Sequence, residues 1–118
     1  MKKLSNTNAP LANVTKLCST KLFRTQPCKG FDVVNTKIFV VHSDKEYFAY
    51  KNNCPHQHIP LDWDNDQFLS IDNELIQCST HGAQFLLESG MCVAGPCVGA
   101  QLESIHAEEH EGHVYIYN

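Results

Sequence analysis

The chain has 118 residues, 42% of them hydrophobic and 19% charged, with a formal net charge of −4 at pH 7. That length and balance describe one globular domain able to bury its own core, and they exclude a disordered chain. With no basic stripe there is nothing to displace counterions from a phosphate backbone, which excludes a nucleic-acid role, and no apolar run approaches the ~20 residues of a membrane-spanning helix.

Residues 1–12 read as a flexible arm, polar and aperiodic with Pro10, ahead of a single domain over 13–118. Lys2-Lys3 brings charge without the apolar core of a signal peptide, so a cytoplasmic location is expected, and the Asn13-Val14-Thr15 sequon is idle there. Lys37–His42 is β-branched and apolar, Ser43–Glu46 supplies turn residues, and Tyr47–Tyr50 returns, which predicts a hairpin. Glu74–Gln77 and Gln84–Leu87 predict two further strands, with a turn at Glu88-Ser89-Gly90. Gln101–Ala107 and His113–Tyr117 bracket Glu111-Gly112 and predict a second hairpin. No stretch holds a helical period, so the chain reads as all-β and mostly antiparallel.

Two short boxes interrupt this pattern. Cys54-Pro55-His56 and Cys78-Ser79-Thr80-His81 are separated by 21 residues. Each box falls where a predicted strand has just ended, so two loops held by strands could bring two thiolates and two imidazoles to one metal, a clamp of the kind a preorganised site needs. A Cys2His2 zinc finger groups its cysteines first and its histidines second, whereas here each box carries one of each. In a Rieske [2Fe–2S] centre two histidines replace two cysteines on one iron. A zinc-stabilised interaction module using the same four residues is the alternative. A metal-free relic is disfavoured because all four are present.

The stretch from Cys54-Pro55-His56 through Cys78–Phe85, then Gly90 and Gly95-Pro96, resembles the Rieske iron–sulfur domain, and among its members the soluble Rieske-type ferredoxins that feed oxygenases. The likeness runs from about Phe31 to the C-terminus. It implies the Rieske iron–sulfur fold: an antiparallel β-sandwich base carrying a small cluster-binding subdomain of hairpin loops over about residues 53–98. It implies one [2Fe–2S] cluster per chain, with Cys54 and Cys78 on the inner iron, His56 and His81 on the outer iron near the surface, and Gly95-Pro96-Cys97 as a proline-stiffened cover. Two ferric irons, two sulfides and two thiolates sum to a neutral oxidised site, whereas four thiolates leave a dianion. Adding an electron is therefore easier, which accounts for Rieske potentials of roughly −150 to +300 mV against about −400 mV for all-cysteine plant-type ferredoxins.

High-potential members of the respiratory cytochrome bc complexes carry an extra cysteine in each box, where this chain has Ile59 and Thr80. They also carry a serine and a tyrosine after the second box that donate to sulfur, where this chain has Ala83 and Phe85. Without those donors the reduced state is less stabilised, so a low-potential centre is expected. The potential should also fall with alkaline pH, because oxidation makes exposed imidazole ligands more acidic.

The role implied is one-electron transfer, from a flavin-dependent NAD(P)H reductase to a terminal oxygenase or related oxidoreductase, with docking at the His56/His81 tip beside Gln57, His58, Gln84 and Pro96. A fixed subunit of a larger oxidoreductase is a further alternative. No mononuclear iron site, nucleotide-binding glycine fingerprint or substrate domain is read in the chain, so it is expected to be an electron carrier and not an enzyme.

Cys18, Cys28, Cys92 and Cys97 remain; in a reducing compartment they are expected as thiols, packed as small hydrophobes, with a Cys92–Cys97 bridge the less favoured option. His42, His106, His110 and His113 read as ordinary surface polarity. Asp62, Asp64 and Asp66 mimic the start of a calcium loop, but Gln67 and Asn73 stand where glycine and glutamate belong. A cysteine hydrolase lacks an orienting third residue.

Overall fold

The computed structural model describes residues 14–33, 36–55, 61, 68–70, 72–78 and 82–117. In chain order the elements are β1 (Val14–Ser19), a 3-10 turn (Thr20–Arg24), β2 (Cys28–Val33), β3 (Thr36–Ser43), β4 (Glu46–Lys51), β5 (Leu75–Gln77), β6 (Gln84–Leu86), β7 (Cys92–Ala94), β8 (Ser104–His110) and β9 (His113–Tyr117). β1-β9-β8-β4-β3-β2 form a six-stranded sheet and β5-β6-β7 a three-stranded one. Every named pairing is antiparallel, as the all-β reading expected. Among the described residues no helix is long and apolar enough to cross a membrane.

β3 explains how the site is carried. Its side chains alternate between faces, yet Ile38, Phe39, Val40 and Val41 are all buried. Ile38 and Val40 enter one apolar layer with Phe23, Val33, Ala49, Val114 and Ile116. Phe39 and Val41 enter a second layer with Tyr50, Phe68, Phe85, Cys54, Cys78 and Cys92. β4 repeats the alternation, Ala49 to the first layer and Tyr50 to the second. One strand pair is thus covered on both faces, and its second face is the floor under the cysteines. Phe39 stacks on Phe68 with ring centroids 4.5 Å apart.

Both expected hairpins form, each through two turn residues. Asp44 and Lys45 have φ of 51° and 67° between the paired Ser43 and Glu46. Glu111 and Gly112 have φ of 51° and 80° between His110 and His113. Positive φ at both positions is the mark of a type I′ turn, whose twist matches that of the strands.

The last long strand starts later than predicted, at Ser104 and not Gln101. Residues 101–102 are engaged elsewhere: Leu102 donates its N–H to Gly90 O at 2.9 Å, and Gln101 Nε2 donates to Ser89 O at 2.8 Å. β1, β2 and β7 are strands that the sequence pattern did not single out. The expected arm, residues 1–12, lies outside the described residues.

Candidate metal centre

Cys54 follows β4 by three residues, and the chain around it is tied down by Asn52. The Asn52 N–H donates to Lys37 O at 2.8 Å and the Asn53 N–H to Lys51 O at 2.9 Å. The Asn52 side-chain carbonyl accepts the N–H of fully buried Leu61 at 2.7 Å. That contact ties Asn52, just after β4, to Leu61 on the far side of the first box.

Cys78 follows β5 directly, and the second box is the connection of the β5–β6 hairpin, whose last pair is Gln77 with Gln84. Cys78 donates its N–H to Ala83 O at 2.8 Å and accepts from the Gly82 N–H at 2.9 Å. Gln84 Nε2 donates to Gln77 Oε1 at 3.1 Å just below. The start of β5 is held by polar side chains: Ser70 Oγ donates to Asp72 Oδ1 at 2.6 Å, and the Glu74 N–H donates to the same oxygen at 3.1 Å. These bonds, the serine's foremost, hold the Asp72 carboxyl below its ordinary range.

A third loop packs against the second box. It leaves β7 at Ala94 and returns to Ala100, pinned at its base: Cys92 donates its N–H to Ala100 O at 2.8 Å and accepts from the Gly99 N–H at 3.2 Å. Gly95, at φ +95°, lies so close to the second box that a Cβ there would stand 2.7 Å from Ala83 Cα. No larger residue fits between these two backbones. The sequence expected Pro96 to define this cover; the close approach is made by Gly95, with Pro96 exposed beside it.

Cys54 and Cys78 are 1% and 2% exposed, in one apolar layer with Cys92 and with Cys97 packed against it. Burial, foremost, pushes the Cys97 thiol up to about 12, helped by its hydrogen bond to Cys92 and by electrostatic interaction with the nearby sulfurs of Cys92, Cys54 and Cys78. Four sulfurs therefore share one neighbourhood. The donor set suits iron–sulfur ligation: two thiols in a dry apolar layer, on loops fixed by backbone bonds. His56 and His81, the other two expected ligands, lie outside the described residues, as do Gln57, His58, Ile59, Thr80 and the acidic stretch 62–67. Among the described residues no three His, Cys, Asp or Glu side chains converge on a metal position.

Ala83 and Phe85 are both fully buried, and neither side chain has a hydroxyl to offer a sulfur atom. The remaining histidines sit on the six-stranded sheet or its last turn. His42 stacks on Tyr47 at 4.5 Å, His106 meets Glu108 Oε2 at 2.7 Å, and His110 packs edge-on to Tyr115. The thiol contact between Cys92 and Cys97, 3.2 Å between sulfurs, is the feature whose closeness the sequence did not establish; the five-residue spacing was the only signal.

A family model described as the Rieske [2Fe-2S] domain matches residues 13–108, beginning earlier than the Phe31 limit read from the motifs. No curated protein matches the chain in sequence. Among solved structures, a chain from the complex of reduced oxygenase and oxidized ferredoxin in carbazole 1,9a-dioxygenase superposes with a TM-score of 0.72 at 23% identity, over 87% of this chain and 91% of that one. The ferredoxin of carbazole 1,9a-dioxygenase from Nocardioides aromaticivorans IC177 superposes with a TM-score of 0.69 at 20% identity, over 86% and 96%. A longer chain from the reduced oxygenase–ferredoxin complex reaches 0.77 at 18% identity, with this chain spanning 28% of it. At these identities the likeness is one of fold.

Proposed function

Because the chain belongs to the Rieske [2Fe–2S] domain family, we propose that it is a one-electron carrier whose cluster is held by Cys54, His56, Cys78 and His81. The family's cofactor is a Rieske-type [2Fe–2S] cluster, which supplies single-electron redox chemistry when bound. The observation that carries the reading is the burial of Cys54 and Cys78 in one apolar layer, each at the end of a strand and each on a hydrogen-bonded loop. Residues of about 53–98 then serve as the cluster-binding subdomain of the single domain 13–118.

The chain's residues do three things in this scheme. Cys54 and Cys78 present sulfur from the dry side, where Leu61, Phe68 and Phe85 keep water away. Asn52 and the Cys78–Ala83 backbone bonds hold the two loops, so little reorganisation accompanies a change of charge. Gly95 seats the third loop on Ala83. In this reading His56 and His81 are the outer-iron ligands at which a partner docks, and Gln57, His58, Gln84 and Pro96 are the residues that would contact it. Val93 of β7 and Val98 of the third loop are 45% and 64% exposed, which adds apolar surface to a docking face of the small kind that redox encounters use.

The acceptor is a terminal oxygenase or similar oxidoreductase, a reading supported by fold likeness to chains of oxygenase–ferredoxin complexes. The donor is a flavin-dependent NAD(P)H reductase, and the setting is cytoplasmic. The potential lies low in the family range, because Ala83 and Phe85 give the sulfurs no hydroxyl donors; voltammetry placing the midpoint at the upper end would contradict this. The test of the function is metal analysis of anaerobically reconstituted protein: iron and acid-labile sulfide in equal amounts support the carrier. Stoichiometric zinc in a colourless protein overturns it in favour of an interaction module.

A further inference from the structure

Of the four cysteines that the scheme above does not use, Cys92 and Cys97 touch. Cys97 Sγ donates to Cys92 Sγ at 3.2 Å, and Cys92 Sγ in turn donates to Ala94 O at 3.2 Å. All six cysteines are among the described residues, and none is in a disulfide. Cys92 is 2% exposed; Cys97 is half-buried, at the surface end of the pair. The backbone frames them as a closed lobe. Cys92 pairs with Gly99 and Ala100 at the base, and the Ala100 N–H donates to Cys97 O at 2.9 Å. A sulfur–sulfur bond of about 2.05 Å needs the two atoms, now 3.2 Å apart, to close by only about 1.2 Å, within a lobe whose glycines at 95 and 99 already carry its sharp turns.

We infer that Cys92 and Cys97 are a reversible dithiol–disulfide pair, a modification site that exchanges with low-molecular-weight disulfides. The chemistry balances in two displacements. Cys97, the accessible sulfur, gives up its proton and attacks one sulfur of the small disulfide as the minor thiolate form that its raised pKa leaves, so the exchange is slow at neutral pH and is run to equilibrium; the small disulfide's S–S bond breaks, a mixed disulfide forms at Cys97, and one small thiol leaves carrying that proton. Cys92 then attacks the Cys97 sulfur from inside, the mixed disulfide breaks, and the second small thiol leaves with the second proton. Two protein thiols are oxidised by two electrons, and one small disulfide is reduced to two thiols. Ala94 O loses its thiol donor. The bridge cross-links the lobe that seats Gly95 on Ala83, so oxidation stiffens the cover of the second box without using Cys54 or Cys78. The inference stands on sulfur geometry and holds whether or not the centre beneath is iron–sulfur.

The experiment equilibrates the intact metal-loaded chain anaerobically in mixtures of glutathione and glutathione disulfide. Thiols are trapped with N-ethylmaleimide under denaturing conditions and mapped by peptide mass spectrometry, with iron and sulfide measured on the same samples. As the buffer becomes oxidising, alkylation of Cys92 and Cys97 should vanish together, with a two-electron dependence and unchanged metal content. In Cys92→Ala, a glutathione adduct should accumulate at Cys97, since nothing resolves it. The inference is overturned if wild-type protein accumulates that adduct, if both thiols stay alkylatable across the series, or if the bridge maps to Cys54 or Cys78. The wild-type map decides the matter even if the variant fails to fold.

Discussion

Replacing Gly95 by alanine isolates the contact that seats the third loop on the second box. Gly95 and Gly99 share a φ of +95°, but a Cβ on Gly99 meets nothing within 4 Å, whereas one on Gly95 meets Ala83 Cα at 2.7 Å, N at 3.2 Å and Cβ at 3.3 Å. Gly99→Ala therefore measures the backbone alone. Positive φ costs an alanine about 1–2 kcal/mol, partly offset by the about 0.4–1 kcal/mol that losing a glycine removes from the unfolded chain's entropy, for a net loss of about 1 kcal/mol. Gly95→Ala adds overpacking against main-chain atoms that cannot rotate aside, typically about 1–3 kcal/mol, for a total of about 2–4 kcal/mol. At about 4 °C per kcal/mol for a domain of this size, the melting temperature should fall by about 8–16 °C for Gly95→Ala and about 4 °C for Gly99→Ala. Circular dichroism melts of both variants, loaded alike and compared with wild type, make the measurement. Equal losses would refute the tight seat of Gly95 on Ala83.

Substitutions at three other positions probe the fold that carries the centre. Burial, foremost, and then the charge of Glu88 push the Tyr50 hydroxyl from 10.0 up to about 12. Its contribution is therefore intact below pH 10 and lost as pH rises through about 12, at up to ~1.4 kcal/mol per pH unit. Tyr50→Phe should flatten denaturation profiles in that window, while costing about 1 kcal/mol at neutral pH for the bond to Leu87 O; an unchanged alkaline slope would contradict the assignment. Lys45, exposed at φ 67°, sits where a type I′ turn favours glycine. Lys45→Gly should raise stability by about 0.5–1 kcal/mol in urea titrations, and a loss would tell against the turn. Asn52→Ala leaves the buried Leu61 N–H without its acceptor and should cost about 1–3 kcal/mol. Asn52→Asp, which keeps an oxygen there, should recover most of it, and failure to do so would deny the staple its role.

Legibility followed the range of the interactions. The turns at Asp44-Lys45 and Glu111-Gly112 were readable because turn residues and flanking strands are local. The apolar run Ile38–Val41 marked β3 as a strand, but that both its faces are buried came only with the layers on either side of it. β1 was not readable: Val14–Ser19 carries Lys16 and Cys18, and its place depends on pairing with β9 at the other end of the chain. β2 holds Lys29 and Gly30 and lies at the end of the six-stranded order beside β3, so neither alternation nor composition marks it. The shifted start of β8 follows from Gln101 and Leu102 bonding back to Ser89 and Gly90, a tertiary demand invisible in strand propensity. In the centre, the order and spacing of the two boxes identified Cys54 and Cys78 as a pair. That Gly95 presses on Ala83, and that Cys92 meets Cys97, depends on how a lobe folds back on a hairpin.

The most direct test of the four-residue ligand set is pulsed electron paramagnetic resonance on the reduced protein, with histidines labelled with nitrogen-15. The account predicts a signal whose average g lies below the free-electron value, coupled to two histidine nitrogens, one of which is lost in each of His56→Ala and His81→Ala that retains a paramagnetic centre. A reduced signal with no nitrogen coupling, or couplings untouched by either substitution, would contradict it.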